Sequence, residues 1–232
     1  MTDEQGGVTQ WFDTTYRDKG FGYLRPLAAY PIFLQLLDAK PGERLLDVAC
    51  GPGLLLKASL LRGVEPHGVD ISAVAIQMAR EFVPSAQVQV ANAEALPFAE
   101  ATFDLLTCIG ALERMLDRQQ VLREMCRVVR PGGRLCLMLR NAMAPGWRIW
   151  RQWLGKQNHA GHQDAKGLAE WRALLESAGF TVDRVYMDQW PRQKLRRLLH
   201  GGRVHDFSQP EPIAEPWLSM KRVYEYIFVL RR

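Results

Sequence analysis

A short apolar run that ends in a glycine turn sets the architecture of this chain, and it reads Leu45-Leu46-Asp47-Val48-Ala49-Cys50-Gly51-Pro52-Gly53. The run is typical of a buried parallel strand, and the turn leads into a helical-looking segment, residues 54–62. One strand–helix–strand unit later, a second apolar run ends in an acid within Gly68-Val69-Asp70-Ile71-Ser72. Glycines let the backbone approach a ligand closely, and the acid can hold two ribose hydroxyls. The spacing therefore predicts a nucleoside-binding βαβ unit.

The turn itself discriminates between nucleoside cofactors. A dinucleotide fingerprint has glycine where this chain has Leu56, and Pro52 removes a backbone N–H that a pyrophosphate would use. S-adenosylmethionine has no phosphate, and it carries a sulfonium and an ammonium that an acid at the position of Asp47 suits. The residues therefore favour S-adenosylmethionine, and a dinucleotide-dependent oxidoreductase is the alternative that they oppose.

Further segments follow in the order of a known family. Besides the two stretches above, they are Ala91-Asn92-Ala93-Glu94-Ala95-Leu96-Pro97-Phe98, Phe103-Asp104-Leu105-Leu106 and Arg127-Val128-Val129-Arg130-Pro131-Gly132-Gly133-Arg134-Leu135. The chain resembles the class I S-adenosylmethionine-dependent methyltransferases, in the branch called methyltransferase type 11, most densely over residues 33–140. The resemblance implies an α/β fold: a Rossmann-like, seven-stranded, mostly parallel sheet with helices on both faces and an antiparallel last strand. It also implies an N-terminal helical lid, and the long connection between Met187 and Tyr224 predicts an insertion before the last strand.

The family's cofactor contacts transfer to this chain position by position. The resemblance implies that Asp47 orients the cofactor's amino group and that Asp70 accepts both ribose hydroxyls. Asn92 stands where the family often has Asp, and its amide oxygen can accept from the adenine amino group without the help of a charge. The other implied contacts are Ala49, Gly51 and Gly53 under the methionine part, Ile71 and Ala93 at the adenine, the carbonyl of Cys108 at the ammonium, and Tyr16, Tyr23 and Arg25 towards the carboxylate.

We expect one domain over residues 1–232, with a lid at 1–40, a cofactor-binding core at 41–140, and substrate cap segments at 141–165 and 188–222. In an open parallel sheet, ligands bind outside the carboxyl ends of the strands, so the segments that leave those ends should hold the acceptor. The substrate candidates from these segments and their surroundings are Arg114, Asn141 and Trp147.

The reaction that the resemblance implies is an in-line displacement at the cofactor's methyl group, with S-adenosylhomocysteine as the product. Because the sulfonium leaves readily, the protein mainly supplies positioning, and a general base is needed only if the acceptor must lose a proton. The candidates for that base are His162 and Asp188, which lie in loops near predicted strand edges. No cluster of acids suggests a metal site, and none is expected.

Charge and composition leave the acceptor open. The net charge is +5, and basic residues are concentrated in residues 192–205, which could hold an acidic acceptor or a polyanion. A small-molecule or lipid-like acceptor is the leading class. The alternatives are a methyltransferase that holds RNA or protein through residues 192–205, and a non-catalytic protein that binds S-adenosylmethionine. The oligomeric state stays open.

The compartment expected from the sequence is the cytoplasm. Cys50, Cys108, Cys126 and Cys136 show no paired spacing, which is typical of buried thiols in a reducing compartment. The first residues are polar and acidic, unlike a signal peptide, and no apolar stretch approaches the roughly 20 residues of a membrane span.

Overall fold

The computed structural model describes residues 3–145, 164–191, 195, 213 and 219–232. The strands within these residues are β1 (Arg44–Val48), β2 (Glu65–Asp70), β3 (Gln87–Val90), β4 (Phe103–Ile109), β5 (Val129–Arg140), β6 (Thr181–Met187) and β7 (Glu225–Arg231). They form one sheet in the order β3-β2-β1-β4-β5-β7-β6. The first five strands pair in parallel, whereas β7 runs antiparallel to both β5 and β6. The expected mostly parallel seven-stranded sheet with an antiparallel last strand is confirmed.

Helices cover both faces of the sheet, because each central strand is apolar on both sides. The helices are α1 (Asp3–Lys19), α2 (Pro31–Leu36), α3 (Leu54–Leu61), α4 (Ala73–Phe82), α5 (Arg118–Val128) and α6 (Leu168–Ser177). Successive strand residues point to opposite faces. Leu45 accordingly belongs to a core shared with α2, α3 and α4, and Leu46 to a core shared with α5 and α6. No helix of the described residues has the length and apolar character that crossing a membrane requires.

The start of β5 differs from the sequence-based expectation. The sequence Pro131-Gly132-Gly133 is typical of a turn and predicts a strand at 134–139, but the strand already begins at Val129 and contains the glycines as an irregularity. Val129 pairs with Phe103, and Arg134 is the next residue of β5 to pair, with Leu105. The glycine segment is held in the sheet from the far end of the chain: Gly132 N–H donates to the carbonyl of Arg232, and the Arg232 N–H donates to Gly133. Arg232 is about a hundred residues from these glycines along the chain, so no local sequence pattern predicts the pairing.

Candidate functional site

A cavity lies at the carboxyl ends of β1, β2 and β4, with α1 forming part of its wall. This is the edge at which an open parallel sheet binds ligands. Many of the residues selected from the sequence meet there. Those that line the cavity are Tyr16, Tyr23, Asp47, Ala49, Gly51, Asp70, Ile71, Asn92, Ala93 and Arg114.

Asp70, at the end of β2, joins the two loops that follow β1 and β2. Its Oδ2 accepts a hydrogen bond from the Gly51 N–H at 2.8 Å, and its Oδ1 accepts from the Ser72 N–H at 2.9 Å. Burial raises the pKa of this carboxyl to about 6, despite these hydrogen bonds. Each carboxylate oxygen has a second lone pair, so Asp70 can also accept hydrogen bonds from two ligand hydroxyls.

Asp47 is a second buried acid, at the end of β1. Its Oδ1 accepts a hydrogen bond from the Thr107 hydroxyl of β4 at 2.7 Å. Burial raises the pKa of Asp47 to about 7, and the neighbouring Asp70 adds to the effect. A bound cation would favour the ionised form of this carboxyl.

The glycine turn places left-handed backbone between these acids. Ala49 has a φ of 61° and Gly51 a φ of 53°, and both line the cavity. A Cβ at Gly51 would lie 2.9 Å from the Tyr16 hydroxyl, so the missing side chain lets α1 close over the turn. Gly53 does not line the cavity, and its predicted cofactor contact stays a prediction. It precedes α3, and a Cβ there would lie 3.3 Å from Cβ of Ala79, so Gly53 serves the packing of α3 on α4.

The predicted adenine side of the cavity contains Ile71, Asn92 and Ala93. The Asn92 amide oxygen already accepts a hydrogen bond from the Glu94 N–H at 3.0 Å, which fixes the orientation of the side chain. One lone pair of that oxygen is left for a ligand donor.

Cys108 does not line the cavity, and its predicted carbonyl contact stays a prediction. Its side chain is fully buried within β4, and burial raises the pKa of the thiol. The next two residues, Ile109 and Gly110, reach the cavity instead. Ile109 is the last residue of β4.

Asp188 is not placed as a general base, because its carboxylate is held in a salt bridge outside the cavity lining. Its Oδ1 and Oδ2 accept from the two terminal nitrogens of Arg25 at 2.8 and 2.9 Å. Arg25 also pairs with Glu225 at 2.5 Å. The same contacts correct the role predicted for Arg25, whose guanidinium is used within the fold rather than for the cofactor's carboxylate.

Asn141 is a structural residue rather than a substrate contact. Its amide nitrogen donates to the carbonyls of Lys221 and Val223, at 3.1 and 2.7 Å, and its oxygen accepts from the Met143 N–H. The side chain is fully buried and ties the exit of β5 to the entry of β7. Trp147, His162 and nearly all of residues 192–205 lie outside the described residues.

Sequence reasoning missed most of the contribution of α1. Gln5, Val8 and Phe12 line the cavity together with Tyr16. Hydrogen bonds fasten the helix: Gln5 Nε2 donates to Glu94 at 2.8 Å, and Asp13 accepts from the Ser72 hydroxyl at 2.5 Å and from the Val74 N–H at 3.3 Å. The spacing of the lining residues, three to four positions apart, is a helical face that the sequence contains and that could have been read from it.

The arrangement fits S-adenosylmethionine on physical grounds. Two buried carboxyls with raised pKa values lie where the cofactor would bring two cationic groups and two hydroxyls. Apolar and aromatic side chains form most of the remaining lining, and a phosphate near the glycine turn would meet the two acids Asp47 and Asp70.

Comparisons with known proteins match the part of the chain that contains most of this site. Residues 46–137 match a family model described as a methyltransferase domain. These residues belong to the methyltransferase domain family. S-adenosylmethionine is the methyl donor that this membership implies, and residues 46–137 contain the glycine turn and both buried acids.

This chain matches its individual relatives only in part. It is 34% identical over 131 residues to a ubiquinone biosynthesis O-methyltransferase of Alkalilimnicola ehrlichii, which covers 54% of this chain and 53% of the relative. It is 35% identical over 154 residues to a ubiquinone/menaquinone biosynthesis C-methyltransferase of Geotalea daltonii, covering 60% and 65%. The chain thus spans about half to two thirds of these relatives. The fold matches a crystal structure of a methyltransferase from Bacillus halodurans with a TM-score of 0.62 at 22% identity, over 88% of this chain and 97% of the other.

Proposed function

We propose that this protein transfers the methyl group of S-adenosylmethionine to a small organic acceptor and releases S-adenosylhomocysteine. The observation that carries the proposal is the pair of buried carboxyls, Asp47 and Asp70, on either side of a left-handed glycine turn in a cavity covered by α1. Burial of two acids is unfavourable without a ligand, and this cofactor brings groups that match both.

Different residues would bind different parts of the cofactor. Asp47 would hold its ammonium, and Asp70 its two ribose hydroxyls. The backbone at Ala49 and Gly51 would lie under the methionine part, and Ile71, Asn92 and Ala93 would surround the adenine. Tyr16 would cover the turn from α1, because its ring is buried and its hydroxyl lies next to Gly51.

The chain's contribution to the reaction would be positioning. Holding an acceptor atom in line with the methyl group, in a cavity shielded from water, lowers the barrier mainly through orientation. His162 stays the candidate base for an acceptor that must lose a proton, whereas Asp188 no longer serves, because Arg25 occupies its carboxylate.

We assign a small-molecule acceptor because the curated relatives carry the names of quinone-biosynthesis methyltransferases. A quinol or catechol ring with a hydroxyl or ring carbon to be methylated is the acceptor type that those names indicate. A cytoplasmic location stays a prediction.

The first test is calorimetric titration of the full chain with S-adenosylmethionine and S-adenosylhomocysteine. We expect micromolar binding to the wild type, weakened at least tenfold (about 1.4 kcal/mol) by Asp70→Ala. Asp183→Ala is the matched control, since Asp183 pairs with Arg231 on the far edge of the sheet and should leave binding unchanged.

Turnover is measured with methyl-labelled cofactor and a panel of catechols and quinols. Absence of cofactor binding by the wild type would contradict the proposal. Binding without transfer to any acceptor, including RNA and protein, would favour the non-catalytic alternative.

A further inference from the structure

Arg114 stands out in the cavity because a buried nitrogen of its guanidinium has no hydrogen-bond partner. The residue closes the short 3-10 turn Leu112–Arg114, directly after β4. It is the only cation among the described residues that line the cavity. Its Nη1 is shielded from solvent and unpartnered, and no described residue forms an ion pair with it.

An aromatic side chain of α1 positions this guanidinium. The Cζ atom of Arg114 lies 6.0 Å from the centroid of the Trp11 ring, which in turn meets Tyr23 edge to face at 6.1 Å. Contact of a guanidinium with an aromatic face uses the flat face of the cation and leaves its N–H edges available for hydrogen bonds. The contact with Trp11 therefore positions Arg114 without using its N–H hydrogen-bond donors.

The neighbouring acid forms no hydrogen bond with Arg114. Glu113 is fully buried, both of its carboxyl oxygens are unpartnered, and burial raises its pKa, although the charges of Arg140 and Arg114 act in the opposite direction. The acids that share the cavity with Arg114 are Asp47, Asp70 and Glu94. Of these, Asp70 is bonded to Gly51 and Ser72, and Glu94 to Gln5.

A buried, charged donor without a partner is unfavourable, and such groups are rare in folded proteins unless a ligand completes them. The guanidinium fork matches a carboxylate in geometry and in charge, and hydrogen bonds between two charged groups are the strong ones. The cavity thus offers a carboxylate a partner that the protein itself does not supply.

We propose that Arg114 binds a carboxylate of the methyl acceptor and so selects acidic acceptors. This inference rests on the proposed function, because it places the acceptor beside the cofactor in the same cavity. The cofactor's own carboxylate is the competing source. Binding of the cofactor product to Arg114→Met, described below, distinguishes the two sources.

The test compares two probes of nearly equal shape, 3,4-dihydroxybenzoate and the uncharged 3,4-dihydroxybenzamide, by calorimetry on the full chain saturated with S-adenosylhomocysteine. We expect the wild type to bind the benzoate at least tenfold more tightly than the benzamide. Arg114→Met should abolish that preference without weakening the benzamide, and Arg114→Lys should keep part of it. Arg118→Met is the matched control, since Arg118 lies four residues later and pairs with Asp164 outside the cavity lining.

Binding of the cofactor product separates the two sources of carboxylate. We expect Arg114→Met to bind S-adenosylhomocysteine as the wild type does, with an unchanged melting temperature. A tenfold loss for S-adenosylhomocysteine, with unchanged binding of 5′-methylthioadenosine, would assign Arg114 to the cofactor's carboxylate and overturn the inference. Equal affinity of the wild type for both probes, or binding of neither, would also overturn it. If the wild type does not bind S-adenosylhomocysteine at all, the proposed function fails first, and this inference falls with it.

Discussion

Asp47 shows how one residue can couple the cavity to pH. Its carboxyl is buried near the end of β1, accepts a hydrogen bond from Thr107, and has a pKa raised to about 7 by burial and by the charge of Asp70. A buried acid with such a pKa is largely protonated in the ligand-free protein below neutral pH. A cationic ligand needs the ionised form, so binding must release a proton there.

We therefore predict that the affinity for S-adenosylmethionine rises as the pH increases from 5.5 towards 7, by up to about tenfold per pH unit well below the pKa. It should fall again near pH 8, where an α-amino group of ordinary pKa, about 7.7–8.0, loses its proton. Calorimetry in buffers of different ionisation enthalpy would measure the affinity and the released proton. Asp47→Asn should bind S-adenosylmethionine more weakly, and its affinity should no longer rise between pH 5.5 and 7. If the affinity of that variant still rises between pH 5.5 and 7, another group titrates, and Asp70 would be tested first.

At the scale of elements, α3 and β2 are fitted to each other by a glycine on the strand. A Cβ added to Gly68 would lie 2.8 Å from both Sγ of Cys50 and Cδ1 of Leu56. Dinucleotide-binding folds place a glycine on the helix for close helix–strand packing. In this chain Leu56 occupies the helix position and the small residue lies on the strand. The larger residue on α3, Leu56, is thus accommodated by the absence of a side chain at Gly68 on β2.

We predict that Gly68→Ala lowers the free energy of unfolding by about 1–2 kcal/mol, because the added methyl overpacks this contact. Urea denaturation would measure it, with Gly22→Ala as the control, since a Cβ at Gly22 meets nothing within 4 Å. Shortening the facing side chain in Gly68→Ala/Leu56→Val should recover part of the loss. Strictly additive effects of the two substitutions would count against the packing explanation.

At the scale of the whole molecule, a buried ion network connects the N-terminal segment to the far half of the sheet. Arg25 pairs with Asp188, just after β6, and with Glu225, at the start of β7. Arg140, at the end of β5, lies 3.5 Å from the second oxygen of Glu225. Both acids are nearly inaccessible to solvent, at 7% and 4% exposure. Breaking a buried pair from one side leaves uncompensated charge, which costs more than the pair contributes.

Arg25→Met should accordingly lower the free energy of unfolding by about 3 kcal/mol at pH 7. The loss of stability should be smaller at acidic pH. In the wild type, the charge of Arg25 lowers the Glu225 pKa against the effect of burial. Without Arg25 this carboxyl protonates more readily, so less unpaired charge stays buried at low pH. Urea denaturation at pH 5 and pH 7 would show both effects. Lys40→Met, which removes an exposed pair with Asp38, should change stability by less than about 1 kcal/mol. Equal stability of Arg25→Met and wild type at pH 7 would mean that the network does not stabilise the fold.

The features that the sequence predicted well are local. The strand–turn–helix around residues 45–62 and the acids Asp47 and Asp70 could be identified because an apolar run, a glycine turn and an acid at a strand end are contiguous signals. The helical face of α1 was also available as a local periodicity, although it was not used. The start of β5 was misplaced because its glycine segment is held by Arg232, near the opposite end of the chain.

The sequence by itself determined the βαβ frame, the order of the segments and the kind of cofactor that suits the turn, because neighbouring residues carry that information. Only the tertiary structure decided how several side chains are used. It assigned Gly53 to helix packing, Asn141 to the junction of β5 and β7, and Arg25 to Asp188. Arg25 and Asp188 are separated by 163 residues along the chain. Such partners are chosen by the folding of the sheet, which brings distant charges into one buried space, and no pattern near either residue encodes the choice.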